Sequence, residues 1–245
     1  MESGFDRKSA FDDDYLYFYA ELLTPERTAA DVDLIWKLLE LELGLELLDL
    51  ACGHGRIANS LAERGVIVTG LDATPYFLEL ARTDAAERGV EVEYVEGDMR
   101  SIPWSERFDR VLSWFTSFGY FEDDENKRVL AEAYKALKPG GLLAVEMSHR
   151  DQLLTRYQAE TVLEKGEDRM IDRHRFDVQT SRSHDERTII RDGKERTFEF
   201  SVRMLTGAEL RGWMLDAGFR EAHAFGDDGE PLTLEHRRMT VVARK

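Results

Sequence analysis

The sequence predicts an α/β fold: a doubly wound sheet of seven strands, mostly parallel, with an antiparallel C-terminal hairpin and an antiparallel β insertion. Three observations carry this. Strand-like and helix-like segments alternate from Leu45 to Met147, the βαβα order of a parallel sheet with helices on both faces. From Val162 to Leu205 the residues become polar, Arg-rich and β-branched, and Arg196-Thr197-Phe198-Glu199-Phe200-Ser201-Val202 alternates with a period of two. A helix and two apparent strands, Phe219 to Phe225 and Arg238 to Ala243, then close the chain, which suits a seventh strand and a terminal hairpin.

Each element has its own signal. Asp12-Asp13-Asp14 leads into the aromatic run Tyr15-Leu16-Tyr17-Phe18-Tyr19. If helical, this run puts Tyr15, Phe18, Tyr19 and Leu22 on one face, with Tyr17 elsewhere. Thr24 reads as an N-cap with Pro25 at the first helical position, and this helix is expected to reach Leu43 and stop at Gly44, burying Ile35, Leu38 and Leu39. Strands are expected at Leu47–Leu50, Val66–Leu71, Val92–Val95, Phe108–Ser113 and Leu142–Glu146. Helices are expected from Arg56 to Arg64, from Thr74-Pro75 to Gly89, and from Asp123 to Leu137, the last halted by Lys138-Pro139-Gly140-Gly141. Lys165-Gly166 and Asp192-Gly193 mark turns in the insertion, and Thr206-Gly207-Ala208-Glu209 is a capping box for a helix ending at Gly218. The chain thus divides into an N-terminal lid and helix (1–44), a nucleotide-binding core (45–150), an antiparallel insertion or cap (151–205) and a C-terminal helix and strands (206–245) that complete the core.

Composition narrows the function. The 245 residues, 42% hydrophobic, suit one large domain or a core with an insertion. A formal net charge of −16 argues against nucleic acid as a partner, because phosphate binding needs a basic surface. The lone Cys52 allows no internal disulfide and no cysteine metal cluster, as expected of a reducing compartment. The first residues lack a basic-then-apolar leader pattern, and no apolar run is long enough to span a bilayer. A cytoplasmic location is expected.

The most informative stretch is Leu47-Leu48-Asp49-Leu50-Ala51-Cys52-Gly53-His54-Gly55, a buried strand entering a glycine turn that opens a helix. Such a turn lets a nucleotide lie against the backbone and offers it free N–H groups. Gly53-His54-Gly55-Arg56-Ile57-Ala58 formally matches the dinucleotide fingerprint, and Asp72 ends the second strand where an NAD enzyme keeps its ribose acid, so an NAD-dependent oxidoreductase is one reading. Asp49 favours another. A carboxylate before the turn repels a pyrophosphate and attracts a cationic ligand. A second acidic turn, Glu96-Gly97-Asp98-Met99, follows the third strand.

Five segments, in this order, resemble the class I S-adenosylmethionine (SAM)-dependent methyltransferases, whose fold is Rossmann-like: Leu48–Gly55, Gly70-Leu71-Asp72-Ala73, Glu96–Met99, Phe108–Ser113 and Leu137–Gly141. The nearest likeness is to bacterial enzymes that methylate nitrogen or oxygen of natural products and amino sugars. Ala51 departs from the pattern, since many members carry glycine there. The resemblance implies SAM as cofactor, with Asp72 on both ribose hydroxyls, an acceptor-only carboxylate facing two O–H donors. Gly53 and Gly55 would line the methionine and ribose. Asp49 would hold the loop and the methionine amino group, Asp98 would accept from the adenine amino group, and Met99 would pack on the ring. Tyr19, Ala51, Cys52, Arg56, Ala73 and Trp114 complete the expected cofactor set.

Methyl transfer requires alignment and exclusion of water. Trp114-Phe115-Thr116-Ser117-Phe118-Gly119-Tyr120-Phe121 is too aromatic for an ordinary loop and suits an acceptor pocket, with Tyr15, Phe115, Thr116, Ser117 and Phe118 as substrate contacts. His149, after the fifth strand, is the expected general base, with Tyr120 and Tyr17 as further catalytic candidates. His174, His184 and His236 lie among Arg and Asp and read as surface positions, and no metal site is indicated. The expected activity is methylation of N or O on a small-molecule acceptor. The insertion would cover the pocket or build a homo-oligomer contact. A non-catalytic SAM-binding protein is a third reading.

Overall fold

The computed structural model describes residues 10–245. The leader reading, made on residues 1–6, lies outside the described residues. A seven-stranded sheet carries the fold, in the order β10-β11-β5-β4-β1-β2-β3. Its strands are β1 (Glu46–Leu50), β2 (Ile67–Asp72), β3 (Glu93–Glu96), β4 (Phe108–Ser113), β5 (Leu137–Ser148), β10 (Glu221–Phe225) and β11 (Arg238–Arg244). β1 pairs parallel with both β2 and β4, and β4 pairs parallel with β5. β11 runs antiparallel to both β5 and β10, so the terminal strands form the expected hairpin.

Strand alternation splits the core between the two faces. Leu48 and Leu50 pack with Val129, Leu130 and Ala133 of α5 (Asp123–Ala136) and with Leu210 and Met214 of α7 (Gly207–Asp216). Leu47 points the other way, toward Val32 and Ile35 of α2 (Pro25–Leu38), Leu61 of α3 (Arg56–Glu63) and Leu78 and Ala81 of α4 (Pro75–Arg88). The chain order reverses between β1 and β4. That switch point opens a crevice at the carboxyl ends of the strands, where ligands bind in such sheets.

A second sheet, β6-β7-β8-β9, is antiparallel and is built from β6 (Glu160–Lys165), β7 (Asp168–Asp177), β8 (Arg182–Arg191) and β9 (Lys194–Arg203). Asp192 and Gly193 both take positive φ (52° and 71°), as a tight hairpin turn between β8 and β9 requires. Arg182 and Arg203 root this cap to the core. Arg182 donates to the Phe121 carbonyl at 2.7 Å, and Arg203 to Glu209 at 2.8 Å. The N-terminal helix α1 (Asp13–Tyr19) is wedged between cap and core. A short α6 (Arg150–Thr155) follows β5.

The larger differences from the sequence reading lie at α2, β5 and α1. α2 stops at Leu38, because Glu40 turns left-handed (φ 48°) and the Leu41 N–H closes onto the Trp36 carbonyl at 3.0 Å, which buries Leu39 and Leu41. β5 begins at Leu137 and runs through Lys138-Pro139-Gly140-Gly141 as an irregularity opposite β4. The face shared by Tyr15, Phe18, Tyr19 and Leu22 is divided. Phe18 packs on Met170 and Ile189 of the cap, Tyr15 and Tyr19 stack on each other, and Leu22 is exposed beyond the helix end.

Candidate active site

A cavity of ≈ 370 Å³ lies over the carboxyl ends of β1, β2 and β4, walled by α1 and the cap. Asp49 and Asp72 sit at its base. Asp72 is tied by two backbone donors, Gly53 N–H on Oδ2 and Thr74 N–H on Oδ1, each at 2.8 Å. Burial raises its pKa against those bonds. Asp49 is buried and accepts no hydrogen bond among the described residues. Burial and the neighbouring Asp72 push its pKa up to about 7 although Arg56 opposes the shift.

The glycine turn works by close approach. Gly53 takes φ +57° and lines the cavity. Gly55 does not line it. It caps α3 with φ +80°, and a Cβ there would lie 2.4 Å from the Tyr94 hydroxyl and 2.8 Å from Ala81 Cβ, so its role is to let α3 pack on α4. Ala51, the departure from the glycine pattern, is left-handed at φ 56°, a conformation that costs an alanine about 1–2 kcal/mol.

The loop after β4 is strained and braced. Phe115 and Thr116 are consecutive left-handed residues (φ 59° and 57°). The Glu146 carboxylate accepts from Phe115 N–H at 2.7 Å and its carbonyl accepts from Thr116 N–H at 3.2 Å. Arg238 grips the same carboxylate through Nε and Nη2, and donates from Nη2 to Thr116 Oγ1 at 2.9 Å. The Arg56 and Arg238 guanidinium groups each lie 5.3 Å from the Phe115 ring centroid.

Most of the expected residues meet in this one cavity. Tyr19, Asp49, Ala51, Cys52, Gly53, Arg56, Asp72, Ala73, Met99 and Trp114 line it, as do Tyr15, Phe115, Thr116, Ser117 and Tyr120. The Tyr15 and Tyr19 rings stack at 4.4 Å. Burial raises the Tyr15 and Tyr120 phenols above their ordinary value, so both stay protonated at neutral pH.

Five expected residues are placed elsewhere. His149 is buried behind β5, donating from Nδ1 to the His236 carbonyl at 2.9 Å and facing a groove beside Thr206 and His223. Strand parity explains this: Ser148 faces the cavity, so its neighbour turns away. Tyr17 points to the cap, where its hydroxyl donates to Asp168 at 2.8 Å. Asp98 is held by Arg100, at 2.7 Å from Nη2, and does not line the cavity, although Gly97 and Met99 beside it do. Phe118 is fully buried in the core, and Gly55 packs helices as described.

Other lining residues were not foreseen: Phe77, Ser148, Arg238 and, from the cap, Asp172, His174, Asp185, Arg187 and Phe200. His174, read as a surface position, is half-buried and bonded to Asp185 at 2.6 Å, which raises its pKa despite burial. The polar alternation Asp172-x-His174 and Asp185-x-Arg187 held this signal, because i and i+2 share a strand face.

The residues at the base fit SAM. A buried carboxylate that accepts no hydrogen bond from the described residues suits a cationic nucleoside and repels a pyrophosphate, while the aromatic wall suits a sulfonium. Comparison with known proteins agrees. Residues 47–141 match the family model described as a methyltransferase domain. Demethylmenaquinone methyltransferase of Thermus thermophilus is 38% identical over 121 residues, which cover 46% of this chain and 54% of that protein. The match thus spans about half the length of that relative. Among solved structures, the CcbJ methyltransferase of Streptomyces caelestis superposes with a TM-score of 0.81 at 22% identity, covering 98% of this chain and 99% of that one. CalS10, an amino pentose methyltransferase of Micromonospora echinaspora solved with SAM bound, superposes with a TM-score of 0.67 at 22% identity, covering 98% and 100%. Residues 47–141 thus match a methyltransferase domain, and the whole chain shares the fold of these methyltransferase structures.

Proposed function

We propose that this protein transfers a methyl group from SAM to a nitrogen or oxygen atom of a small molecule. The observation that carries the reading is a single cavity with Asp49 and Asp72 at its base and an aromatic lid above them. When bound, SAM supplies a methyl group on a sulfonium sulfur, and transfer is an in-line displacement.

The chain's own residues bind, orient and exclude water. Asp72 has lone pairs left beyond its two backbone donors and accepts from the ribose hydroxyls. Asp49 balances the cationic end, and Met99 packs on the adenine. Tyr15 and Tyr19 seal the lid side, while Thr116, Ser117 and Tyr120 contact the acceptor. His149 faces away, which supports catalysis by positioning in place of a base at that residue. The formal charge of −16 supports a small-molecule acceptor over nucleic acid, and the lone Cys52 supports a cytoplasmic site of action. Among the described residues no helix is long and apolar enough to cross a membrane. A homo-oligomer through the cap would pair its edge strands, β6 or β9.

Titration with labelled SAM and with NADH tests the reading. SAM should bind and NADH should not, and Asp72→Ala should weaken SAM binding by about 2–3 kcal/mol, the scale of lost hydrogen bonds to a charged group. Binding of NADH alone would sink the proposal.

A further inference from the structure

The inner face of the cap sheet is polar where a purely structural cap would be apolar. Asp172 and Arg187 are directly opposed across β7 and β8, and so are His174 and Asp185. All four line the cavity. Farther along the same face, Met170 and Ile189 return to ordinary apolar packing against Phe18. Desolvating two charged pairs is costly, and apolar residues of similar size would hold such a sheet as well or better. Both pairs stand on the cavity wall, where a ligand can reach them.

They are not equivalent. Asp172 is closed on Arg187, with Nε and Nη2 each 2.7 Å from its oxygens, and this neutralises the arginine. Asp185 is half used. Its Oδ1 accepts from His174 Nδ1 at 2.6 Å and from Ser183 Oγ at 2.8 Å, while Oδ2 accepts nothing from the described residues. His174 is held on its far side by Thr161 Oγ1 at 2.9 Å, so the carboxylate has a fixed seat. Asp185 is more than nine-tenths buried, and Phe200 is its cross-strand neighbour on the same cavity wall.

We propose that Asp185 seats the methyl acceptor by accepting an N–H at Oδ2, and that the acceptor carries a basic amine on or beside a ring. This rests on the methyltransferase reading and gives it a substrate class. An ammonium satisfies the open oxygen, and Tyr19, Tyr120 and Phe200 line the same cavity and offer it ring faces. A carboxylate or phosphate in the same place meets the open oxygen of Asp185 and is repelled.

Phenethylamine and hydrocinnamate, alike in ring and length but opposite in charge, test this on protein saturated with S-adenosylhomocysteine. Ligand-observed NMR should detect the amine and not the acid. Asp185→Asn should weaken the amine by about tenfold or more, the scale of a lost hydrogen bond to a charged group, and leave S-adenosylhomocysteine affinity unchanged. Equal binding of the two probes by the unaltered protein, binding of neither, or an amine affinity indifferent to Asp185→Asn overturns the proposal. Failure to bind S-adenosylhomocysteine at all overturns the methyltransferase reading instead.

Discussion

At the residue scale, the cavity's chemistry turns on Asp49. Its pKa is pushed up to about 7, chiefly by burial, so near neutral pH a fraction of it holds a proton. A cation bound beside it favours the ionised form and lowers that pKa. If Asp49 faces the cationic end of SAM as proposed, binding near pH 7 should release protons, and affinity should rise with pH until about 7 and then level. Calorimetry in buffers of different ionisation enthalpy should show this release, and Asp49→Asn should abolish it; a buffer-independent binding heat in the unaltered protein refutes the assignment. Ala51 shows the other side of residue-level reading. Its departure from the family glycine is visible in the sequence, but only the fold reveals the left-handed backbone that glycine would relax.

At the element scale, α1 is fastened to the cap by charge. Arg191 meets Asp13 at 2.7 Å and Asp14 at 2.9 Å, and Arg196 meets Asp12 at 2.6 Å and Asp14 at 2.7 Å. Partly exposed pairs are worth about 0.2–1 kcal/mol each and are screened by salt. The helix bearing Tyr15 and Tyr19 should loosen when the clasp is removed. Hydrogen exchange across residues 13–19 should quicken by about fivefold in an Arg191→Ala, Arg196→Ala double variant, the equivalent of about 1 kcal/mol. High salt should produce the same change in the unaltered protein, and protection unaffected by either treatment counts against the clasp. The aromatic run and its acidic preface stand in the sequence, yet its two working faces do not. α1 ends at Tyr19, so Leu22 falls outside the helix, and the cap claims Phe18.

For the whole molecule, the cavity joins core, lid and cap, so a ligand in it should stabilise all three together. At about a hundred times its dissociation constant a ligand adds about 2.7 kcal/mol by mass action. For a chain of this size that corresponds to a Tm higher by roughly 5–10 °C. Thermal unfolding with saturating S-adenosylhomocysteine should show one transition shifted by that amount. A shift confined to part of a split transition would mean that the cap unfolds apart from the core.

The sequence by itself determined the sheet and the strand-end turns at the base of the cavity. Phe108–Ser113 is β4 to the residue, and the Thr206–Glu209 capping box forms as read. These signals are local, resting on spacing, caps and turn residues a few positions apart. The placing of Asp49, Gly53 and Asp72 together was legible for the same reason, since Asp49 lies near the end of β1, Gly53 in the turn after it and Asp72 at the end of β2. The tertiary structure decided which side chains wall the rest of the cavity. Whether Ser148 or His149 faces the cavity depends on strand parity relative to β4 and β11, which the register sets. Asp172, His174, Asp185 and Arg187 meet only because β7 and β8 pair in one register and the sheet then folds over β4. A one-residue slip in that pairing would turn the polar quartet away from the cavity, together with Met170 and Ile189, whose burial against Phe18 holds the register.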